Sequence, residues 1–270
     1  MIQKIIHYCW YGRGEFSPEI KMCIESWEKF CPDYEIKCWN EENTPMNIAW
    51  IKEAYKHRKY AFVADYVRFY ALYHEGGIYM DTDMLLKKPL DNFLNHSFFT
   101  GLQDKYSVAL GIIGCKKEHL FNKTCLDYYD SIKFNVVSPP IITHILTKML
   151  AEKGFKEEDK YQELAVAASP LRGLDTAQYQ VIALYPTEYF YPIHYTQKFE
   201  LWEIDKFCTK NTYGVHLWNQ SWISELTLLA NKEYKKGFRL AFERIKRTPF
   251  LPLKYYKKIA KYIVLYLLKK

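Results

Sequence analysis

The sequence predicts one α/β domain with a mostly parallel central sheet over residues 1–248, followed by a short helical tail over residues 249–270. Three observations support this prediction. Short apolar runs alternate with longer runs of helical periodicity along the first 218 residues. A length of 270 residues suits one large domain with a small appendage. We find no internal repeat, low-complexity stretch or linker.

The first elements alternate between strand and helix. Lys4 to Tyr11 is apolar and rich in β-forming residues, which predicts a buried first strand. Ser17-Pro18-Glu19 offers an N-cap, a first-turn proline and an acidic side chain, which predicts the start of a helix that Pro32 ends. Next come a short alternating strand at residues 35–39 and a helix over residues 47–57.

The segment from Tyr60 to Asp83 is the most informative part of the chain. Residues 60–75 place aromatic and apolar side chains three and four apart, which predicts an amphipathic helix, and Gly76 suits its C-cap. Residues 78–80 then suit a short strand. Asp81 and Asp83 follow at its carboxyl end, where open α/β sheets bind ligands.

Shorter patterns predict the later elements. The predicted strands cover residues 98–102, 108–113, 181–185 and 213–218, and the predicted helices cover 118–131 and 139–153. Residues 155–180 and 186–210 look irregular, as lids or insertions do.

Composition narrows the class of protein. A hydrophobic content of 49% with 26% charged residues indicates a globular protein with a core. The net charge of +7 is concentrated near the C-terminus, which favours a local anionic partner over a surface that coats nucleic acid. Seven scattered cysteines without a C-x-x-C pair indicate reduced thiols and therefore a cytoplasmic location. The N-terminus lacks signal-peptide features, and no run approaches the roughly 20 apolar residues of a membrane span.

The carboxylates of Asp81 and Asp83 predict a divalent-cation site. Hard oxygen ligands suit Mg²⁺ or Mn²⁺, and such an ion can offset the charge of a departing nucleoside diphosphate. A D-x-D triplet by itself is weak, since ~1 is expected by chance in a chain of this length, and it also suits a solvated loop or a helix cap. The prediction therefore depends on the helix, the glycine stop and the strand that precede it.

Two further pairs of residues are candidates for ligand binding. Asp65 and Arg68 share one helix face and could be a surface ion pair, but their apolar neighbours favour a polar ligand, with arginine on phosphate or sugar oxygens. Trp10 and Tyr11 end the first strand before two glycines, where a ring can either pack in the core or stack on a nucleobase.

A polar, indole-containing segment follows the last predicted strand. It begins at His216 and runs through Trp218 to Trp222. A lone histidine is usually structural, but imidazole also suits Mn²⁺ or Zn²⁺.

Together these segments resemble the D-x-D glycosyltransferases of the family 32 type, which includes bacterial capsule and lipopolysaccharide sugar transferases, the yeast initiating mannosyltransferase and, more distantly, the glucosylating clostridial toxins. Residues 2–12 resemble that family's opening IPKIIHxxWxG, with Gln3 in place of proline. Residues 65–83 resemble its central DxxRxxxLxxxGGxYxDxD. Residues 185–192 and 216–222 are similar to its YPxxYFxP and HxWxxSW elements.

The resemblance implies a GT-A fold, that is, a single Rossmann-like nucleotide-sugar-binding domain, together with a Mn²⁺ or Mg²⁺ ion and retention of anomeric configuration. It also implies roles for individual residues. These are Trp10, with Tyr11 beside it, at the base; Asp65 and Arg68 at the donor sugar; Tyr79 at the ribose or base; Asp81 at the ribose and a water on the ion; Asp83 as a metal ligand; His216 completing the metal shell; and Trp218, Ser221 or Trp222 at the diphosphate.

The tail carries lysines at helical spacing. Lys254, Lys257, Lys258 and Lys261 share one face, and apolar side chains from Tyr255 to Leu267 face away from it. This pattern predicts a helix lying on an anionic membrane surface, with packing on the domain as the alternative.

We therefore expect a metal-dependent, retaining glycosyltransferase with Asp65, Arg68, Asp81 and Asp83 as its catalytic group. It would move a hexose or N-acetylhexosamine from a UDP-sugar, or second a GDP-sugar, to a lipid-linked glycan. The expected setting is the inner face of the membrane, as a peripheral protein in capsular or lipopolysaccharide biosynthesis, with no nucleic-acid partner. Two alternatives stay open: a sugar nucleotidyltransferase, which would release pyrophosphate, and a non-catalytic glycan-binding protein, which would need no metal.

Overall fold

The computed structural model describes residues 1–136, 138–167, 179–219, 225–230, 232–247 and 253–268. The chain forms two compact units, Met1–Asn219 and Gln220–Lys270, whereas the sequence predicts a boundary after residue 248. All seven cysteines are free thiols. None of the helices described combines the length and the apolar character that crossing a bilayer requires.

The first unit alternates strands and helices. Its strands are β1 (Ile5–Cys9), β2 (Glu35–Trp39), β3 (Gly77–Met80), β4 (Met84–Leu86), β5 (Phe98–Asp104), β6 (Ser107–Cys115), β7 (Gln162–Ala167), β8 (Tyr179–Tyr185) and β9 (Gly214–His216). Its helices are α1 (Pro18–Phe30), α2 (Ala49–Lys56), α3 (Tyr60–Glu75), α4 (Leu120–Ser131), α5 (Ile142–Ala151) and α6 (Thr187–Phe190), with short 3-10 turns at Asp91–Phe93 and Leu201–Lys206.

Among the described residues, the main sheet has seven strands in the order β2-β1-β3-β6-β5-β8-β7. β1 is parallel to β2 and β3, β5 is parallel to β8, and β6 and β7 are antiparallel to their neighbours. Five of the seven strands therefore point the same way, and the predicted α/β class with a mostly parallel sheet is confirmed. A second, two-stranded sheet pairs β4 with β9.

Local signals explain the elements that were predicted best. The side chain of Ser17 accepts a hydrogen bond from the backbone N–H of Ile20, and Pro18 occupies the first turn of α1. α3 has the predicted bounds, but most of its residues are buried, because α2, α4 and the sheet cover it. Gly76 and Gly77 end α3 with φ of +69° and +102°, and a Cβ on Gly77 would lie 2.7 Å from the carbonyl oxygen of Ile5.

Several expectations about the less regular segments were wrong. β7 lies within residues 155–180, which were expected to be irregular, and α6 and a 3-10 turn lie within 186–210. β4 was not predicted at all, and the strand expected over 213–218 is confined to β9. β4 and β9 have three residues each, too few to show a periodicity.

The second unit contains α7 (Glu225–Ala230), α8 (Tyr234–Arg247) and α9 (Leu253–Leu267). Leu229, Ala241, Tyr255 and Ile259 form its small buried core. Tyr255 and Ile259, predicted to face away from the lysines of the tail, therefore pack inside this unit. The exposed apolar side chains of α9 lie nearer its C-terminal end, at Ile263, Val264, Leu265 and Leu267.

Candidate active site at the carboxyl edge of the sheet

The D-x-D segment lies at the sheet edge where the parallel strands end. β1 and β3 are neighbours, with Ile6 opposite Ile78, so Trp10 and Asp81 follow the carboxyl ends of adjacent strands. The backbone N–H of Asp81 donates to the carbonyl of Gly111 on β6 at 2.8 Å, which fixes the start of the D-x-D loop. The predicted position of this motif in the sheet is therefore confirmed.

Asp81 is held through one of its two carboxylate oxygens. The Tyr79 hydroxyl donates to Asp81 Oδ1 at 3.0 Å, and the Arg68 guanidinium lies 3.4 Å from the same oxygen. The other oxygen, Oδ2, faces His216 Nε2 at 4.0 Å. Fixing one oxygen leaves the second oriented toward the loop and available to a ligand.

Asp83 is held in the same manner from the other side. The backbone N–H of Asn219 donates to Asp83 Oδ2 at 2.8 Å, and the N–H of Leu217 donates to the Asp83 carbonyl at 2.9 Å. Asp83 Oδ1 accepts from His216 Nε2 at 3.0 Å. The pairing of β4 with β9 sets this contact, because it places Met84 opposite His216.

One ligand atom from each of Asp81, Asp83 and His216 therefore lies within 4.8 Å of the other two. Two carboxylates and one imidazole suit Mn²⁺ well and Mg²⁺ less well, and three protein ligands leave coordination positions for water and phosphate oxygens. His216 Nδ1 is buried without a hydrogen-bond partner among the described residues, so the ring is held mainly through the nitrogen that faces the carboxylates.

The electrostatics of this triad favour a positive charge at its centre. Burial lowers the pKa of His216, but Asp83 and Asp81 outweigh it and the net pKa lies above the usual value. Burial raises the pKa of Asp83, but His216 and the Asn219 N–H outweigh it and hold the net pKa below the usual value. The triad thus favours a bound positive charge, as a metal site must.

Asp65 and Arg68 lie beneath the triad rather than at the surface. Arg68 is within 3.0 Å of Asp65, donates to the Leu110 carbonyl at 2.6 Å, and covers the Tyr79 ring at 4.6 Å from its centroid. The side chains of Asp65 and Arg68 are 9% and 5% exposed. Arg68 reaches the site through Asp81, so the geometry favours a positioning role over direct contact with a sugar. Tyr79, 1% exposed, likewise acts through Asp81.

The two aromatic residues that follow β1, Trp10 and Tyr11, have different environments. Trp10 lines a cavity of about 280 Å³ with Arg13, Cys38, Asn40 and neighbouring glutamates at the ends of β1 and β2. Tyr11 instead is buried, and its hydroxyl hydrogen-bonds Thr44 at 2.8 Å. Of the two, Trp10 is the ring that a base could reach, whereas Tyr11 packs in the core.

The C-terminal motif closes over the histidine. The Trp218 ring contacts His216 edge-on at 4.1 Å, and its indole N–H donates to the Ile193 carbonyl at 2.7 Å. Trp218 has φ of +53°, a strained conformation for a side-chain-bearing residue and one found disproportionately at functional sites. Ser221 and Trp222 lie outside the described residues.

Two residues of this site were missed from the sequence. Tyr191 accepts a hydrogen bond from the Ile112 N–H at 3.0 Å and contacts the His216 ring at 5.7 Å. A Cβ on Gly111 would lie 3.2 Å from Met84 Sδ, 3.3 Å from the Tyr191 hydroxyl and 3.4 Å from His216 Cδ2, so a side chain there would press on the residues around His216. Tyr191 belongs to the YPxxYFxP element, which could have marked it, whereas nothing in the sequence distinguishes Gly111.

Comparison with known proteins agrees with this geometry. The family model described as "Glycosyltransferase sugar-binding region containing DXD motif" matches residues 17–100, and the one described as "Alpha 1,4-glycosyltransferase conserved region" matches residues 115–239. The first contains Asp81 and Asp83, and the second contains Tyr191 and His216.

Three curated relatives illustrate the similarity. Inositol phosphoceramide mannosyltransferase 3 of Schizosaccharomyces pombe is 32% identical over 44% of the chain and 35% of its own length. Lactosylceramide 4-alpha-galactosyltransferase of Rattus norvegicus is 28% identical over 66% of the chain and 47% of its own length. Human alpha-1,4-N-acetylglucosaminyltransferase is 27% identical over 66% of the chain and 49% of its own length. The chain thus spans less than half the length of each of these relatives.

Both matched regions and the three relatives named here are described as sugar transferases, so over residues 17–100 and 115–239 the chain is similar to glycosyltransferases with a DXD motif, and its D-x-D pair lies at the sheet edge.

Proposed function

We propose that this protein is a metal-dependent, retaining glycosyltransferase that uses a nucleoside diphosphate sugar, with UDP-sugars first and GDP-sugars second. The observation that carries the proposal is the triad: Asp81 and Asp83 each have one oxygen held by protein donors and the other turned toward His216 Nε2. Mn²⁺ or Mg²⁺ bound there would supply positive charge against the leaving diphosphate.

The chain's own residues would position the donor and hold the site in shape. Trp10 offers its ring to the base in the cavity at the ends of β1 and β2. Arg68 and Tyr79 fix Asp81, whose position next to the end of β1 suits contact with the ribose. Because these groups are fixed before substrate binds, they need little reorganisation during the reaction.

A retaining transfer needs no protein nucleophile in this arrangement. The acceptor hydroxyl oxygen bonds to the anomeric carbon as the bond from that carbon to the diphosphate breaks, and the hydroxyl proton passes to the departing diphosphate. The named alpha linkages of two relatives support retention, since common UDP-hexoses are themselves α-linked. The same relatives keep both a hexose and an N-acetylhexosamine open as the transferred sugar.

We also propose a peripheral location on the inner face of the membrane, with a lipid-linked glycan as acceptor in surface polysaccharide assembly. Lys257, Lys258 and Lys261 of α9 are exposed, and the C-terminal end of that helix exposes apolar side chains. Near an anionic surface each lysine contributes about 1 kcal/mol, so replacing all three with glutamate should weaken binding to phosphatidylglycerol vesicles by at least about 100-fold. Lys52→Glu, an exposed site on α2, is the control. Equal binding of both variants would contradict this part of the proposal.

The reaction is tested by donor turnover. The protein is incubated with UDP-galactose, UDP-glucose, UDP-N-acetylglucosamine or GDP-mannose, in Mn²⁺, Mg²⁺ or EDTA, and release of the nucleoside diphosphate is followed. We expect metal-dependent release that Asp83→Asn lowers about 100-fold or more while the thermal unfolding temperature stays within a few degrees. Asp127→Asn, an exposed aspartate on α4, is the matched control. Near-normal turnover by Asp83→Asn, with metal still required, would refute the assignment.

The same assay separates the two alternatives. A sugar nucleotidyltransferase would release pyrophosphate from a nucleoside triphosphate and a sugar phosphate, and would leave nucleotide sugars intact. A glycan-binding protein would bind saccharides in EDTA and release no diphosphate. The partly buried, preorganised carboxylates of Asp81 and Asp83 favour the transferase over the binding protein, since sugar binding alone does not need a cation site.

A further inference from the structure

The first unit contains a second cavity, of about 450 Å³, which the donor site does not use. The turn between β5 and β6 forms one wall, through Gln103, Asp104, Tyr106 and Ser107, and α5 forms the other. β5 and β3 run in the same direction, so this cavity opens at the same sheet edge as the D-x-D loop. Its volume falls within the range of small-ligand sites.

Two paths of contact connect this cavity to the triad. Tyr195 lines the cavity, its ring contacts Trp218 at 5.9 Å, and Trp218 contacts His216 at 4.1 Å. Strand β6 gives the second path: Ser107 lines the cavity, and Gly111, four residues on, accepts the Asp81 N–H. Four residues of strand span about 13 Å. The cavity therefore lies about 13 Å along β6 from Gly111, the residue that holds the start of the D-x-D loop.

The lining is polar and partly aromatic. Asp104 Oδ1 accepts from the Tyr106 N–H at 2.8 Å and from the Ser107 hydroxyl at 2.9 Å, so the turn is shaped before any ligand binds. The Gln103 amide also donates to the Ser107 hydroxyl, at 2.9 Å. Tyr106 exposes 55% of its surface and Tyr195 40%, which is high for large side chains on an ordered domain.

This combination suits a neutral saccharide better than an anion or an apolar ligand. Amide, carboxylate and hydroxyl groups can exchange hydrogen bonds with sugar hydroxyls, and an exposed tyrosine ring can stack on the C–H face of a sugar. Lys148 and His144 on α5 add donors, but Asp104 opposes the charge of Lys148, so the cavity has no single strong sign.

We propose that this cavity between the β5–β6 turn and α5 binds the acceptor saccharide and presents its terminal hydroxyl toward the triad. This inference rests on the proposed glycosyltransferase function and names the subsite for its second substrate. The surrounding residues bind and orient the acceptor, and the hydroxyl proton leaves with the diphosphate as described above.

The test compares acceptor use with donor use. Transfer to p-nitrophenyl β-galactoside and β-lactoside is measured for the wild type and for Tyr106→Ala and Ala151→Trp, which remove a stacking ring and fill the cavity, respectively. We expect each variant to raise the acceptor KM about 10-fold while shifting the donor KM less than 2-fold. Tyr161→Ala, a tyrosine 45% exposed outside the cavity, should change neither constant.

Direct binding distinguishes failure of this inference from failure of the proposed function. Saturation-transfer NMR with the same glycosides, in EDTA and without donor, should show binding that Tyr106→Ala and Ala151→Trp weaken. If donor turnover is absent but this binding is seen, the transferase proposal fails and the saccharide cavity stands. If turnover is present and both cavity variants keep the wild-type acceptor KM, the cavity proposal is overturned. If the wild type neither binds nor glycosylates these probes, it is overturned as well.

Discussion

Arg68→Met tests whether the buried Asp65–Arg68 pair supports the site as the structure indicates. Arg68 contacts Asp65 at 3.0 Å and Asp81 at 3.4 Å, and it satisfies the Leu110 carbonyl at 2.6 Å. Removing one partner of a buried ion pair costs about 3–5 kcal/mol, because the remaining charge has no compensation. We expect Arg68→Met to lower the free energy of unfolding by that amount at pH 8.5.

The loss should depend on pH, because Asp65 can take up a proton. Burial raises the pKa of Asp65 from 3.8 to about 7, against the opposing effect of Arg68. When a carboxyl group has a higher pKa in the folded than in the unfolded state, the protein becomes less stable as the pH rises between the two values. For Asp65 the free energy of unfolding falls by about 4 kcal/mol between pH 3.8 and pH 7. Without Arg68 the pKa rises further, so the stability of Arg68→Met should keep falling above pH 7, where the wild type levels off.

The assay is urea unfolding followed by tryptophan fluorescence, with EDTA present so that metal binding does not contribute. Wild type, Asp65→Asn, Arg68→Met and the double variant are compared at pH 6 and pH 8.5. Asp65→Asn should recover most of the loss caused by Arg68→Met at pH 8.5, because the amide carries no charge. If Arg68→Met stays within about 1 kcal/mol of the wild type at pH 8.5, or if Asp65→Asn brings no recovery, the reasoning is refuted.

Three further changes probe the fold and the triad. Gly77→Ala should lower the unfolding free energy by at least about 1–3 kcal/mol, because φ is +102° and the new Cβ would lie 2.7 Å from the Ile5 carbonyl; a loss below 0.5 kcal/mol by urea unfolding would contradict this estimate. His119→Asn should flatten the pH dependence of stability. Burial, with a smaller effect of Lys116, lowers the pKa of His119 to about 4. The neutral imidazole therefore contributes its full stabilisation above pH 6.5, and the free energy of unfolding falls by about 3 kcal/mol as the pH drops to 4. Equal slopes of unfolding free energy against pH for the variant and the wild type would contradict this. Tyr79→Phe should weaken Mn²⁺ binding about 10- to 100-fold by calorimetry, because Asp81 loses a 3.0 Å donor; unchanged affinity would exclude a positioning role.

Local sequence signals were sufficient for the elements that frame the site. The bounds of α3 could be read from residues 60–76, because the helical spacing and the terminating glycine act over a few residues. The same holds for Ser17 at the start of α1. Strand pairing is different: β4 has three residues, and its partner β9 lies about 130 residues further along the chain. No local pattern encodes that contact.

The contacts of Asp65 and Arg68 were equally inaccessible from the sequence. Their spacing on α3 indicated a shared face, but not that one guanidinium nitrogen of Arg68 would donate to the carbonyl of Leu110. That contact depends on an irregular pairing, since the register between β5 and β6 shifts after Thr100 and leaves residues 110–112 without regular β5 partners. Bulges of this kind often lie beside active sites, where they re-aim backbone groups.

The triad joins two parts of the chain that the family models match separately. Asp81 and Asp83 belong to the region over residues 17–100, and His216 to the region over 115–239. Their contact requires β9 to pair with β4, a step of large sequence separation that local contacts cannot replace. A metal ion that binds all three residues would therefore bind the folded protein in preference to the unfolded chain and stabilise it. At a hundredfold excess of free ion over its dissociation constant, this stabilisation is about 2.7 kcal/mol. The D-x-D pair alone, in a fragment ending before β9, lacks His216 and the Asn219 N–H and should not reproduce that stabilisation.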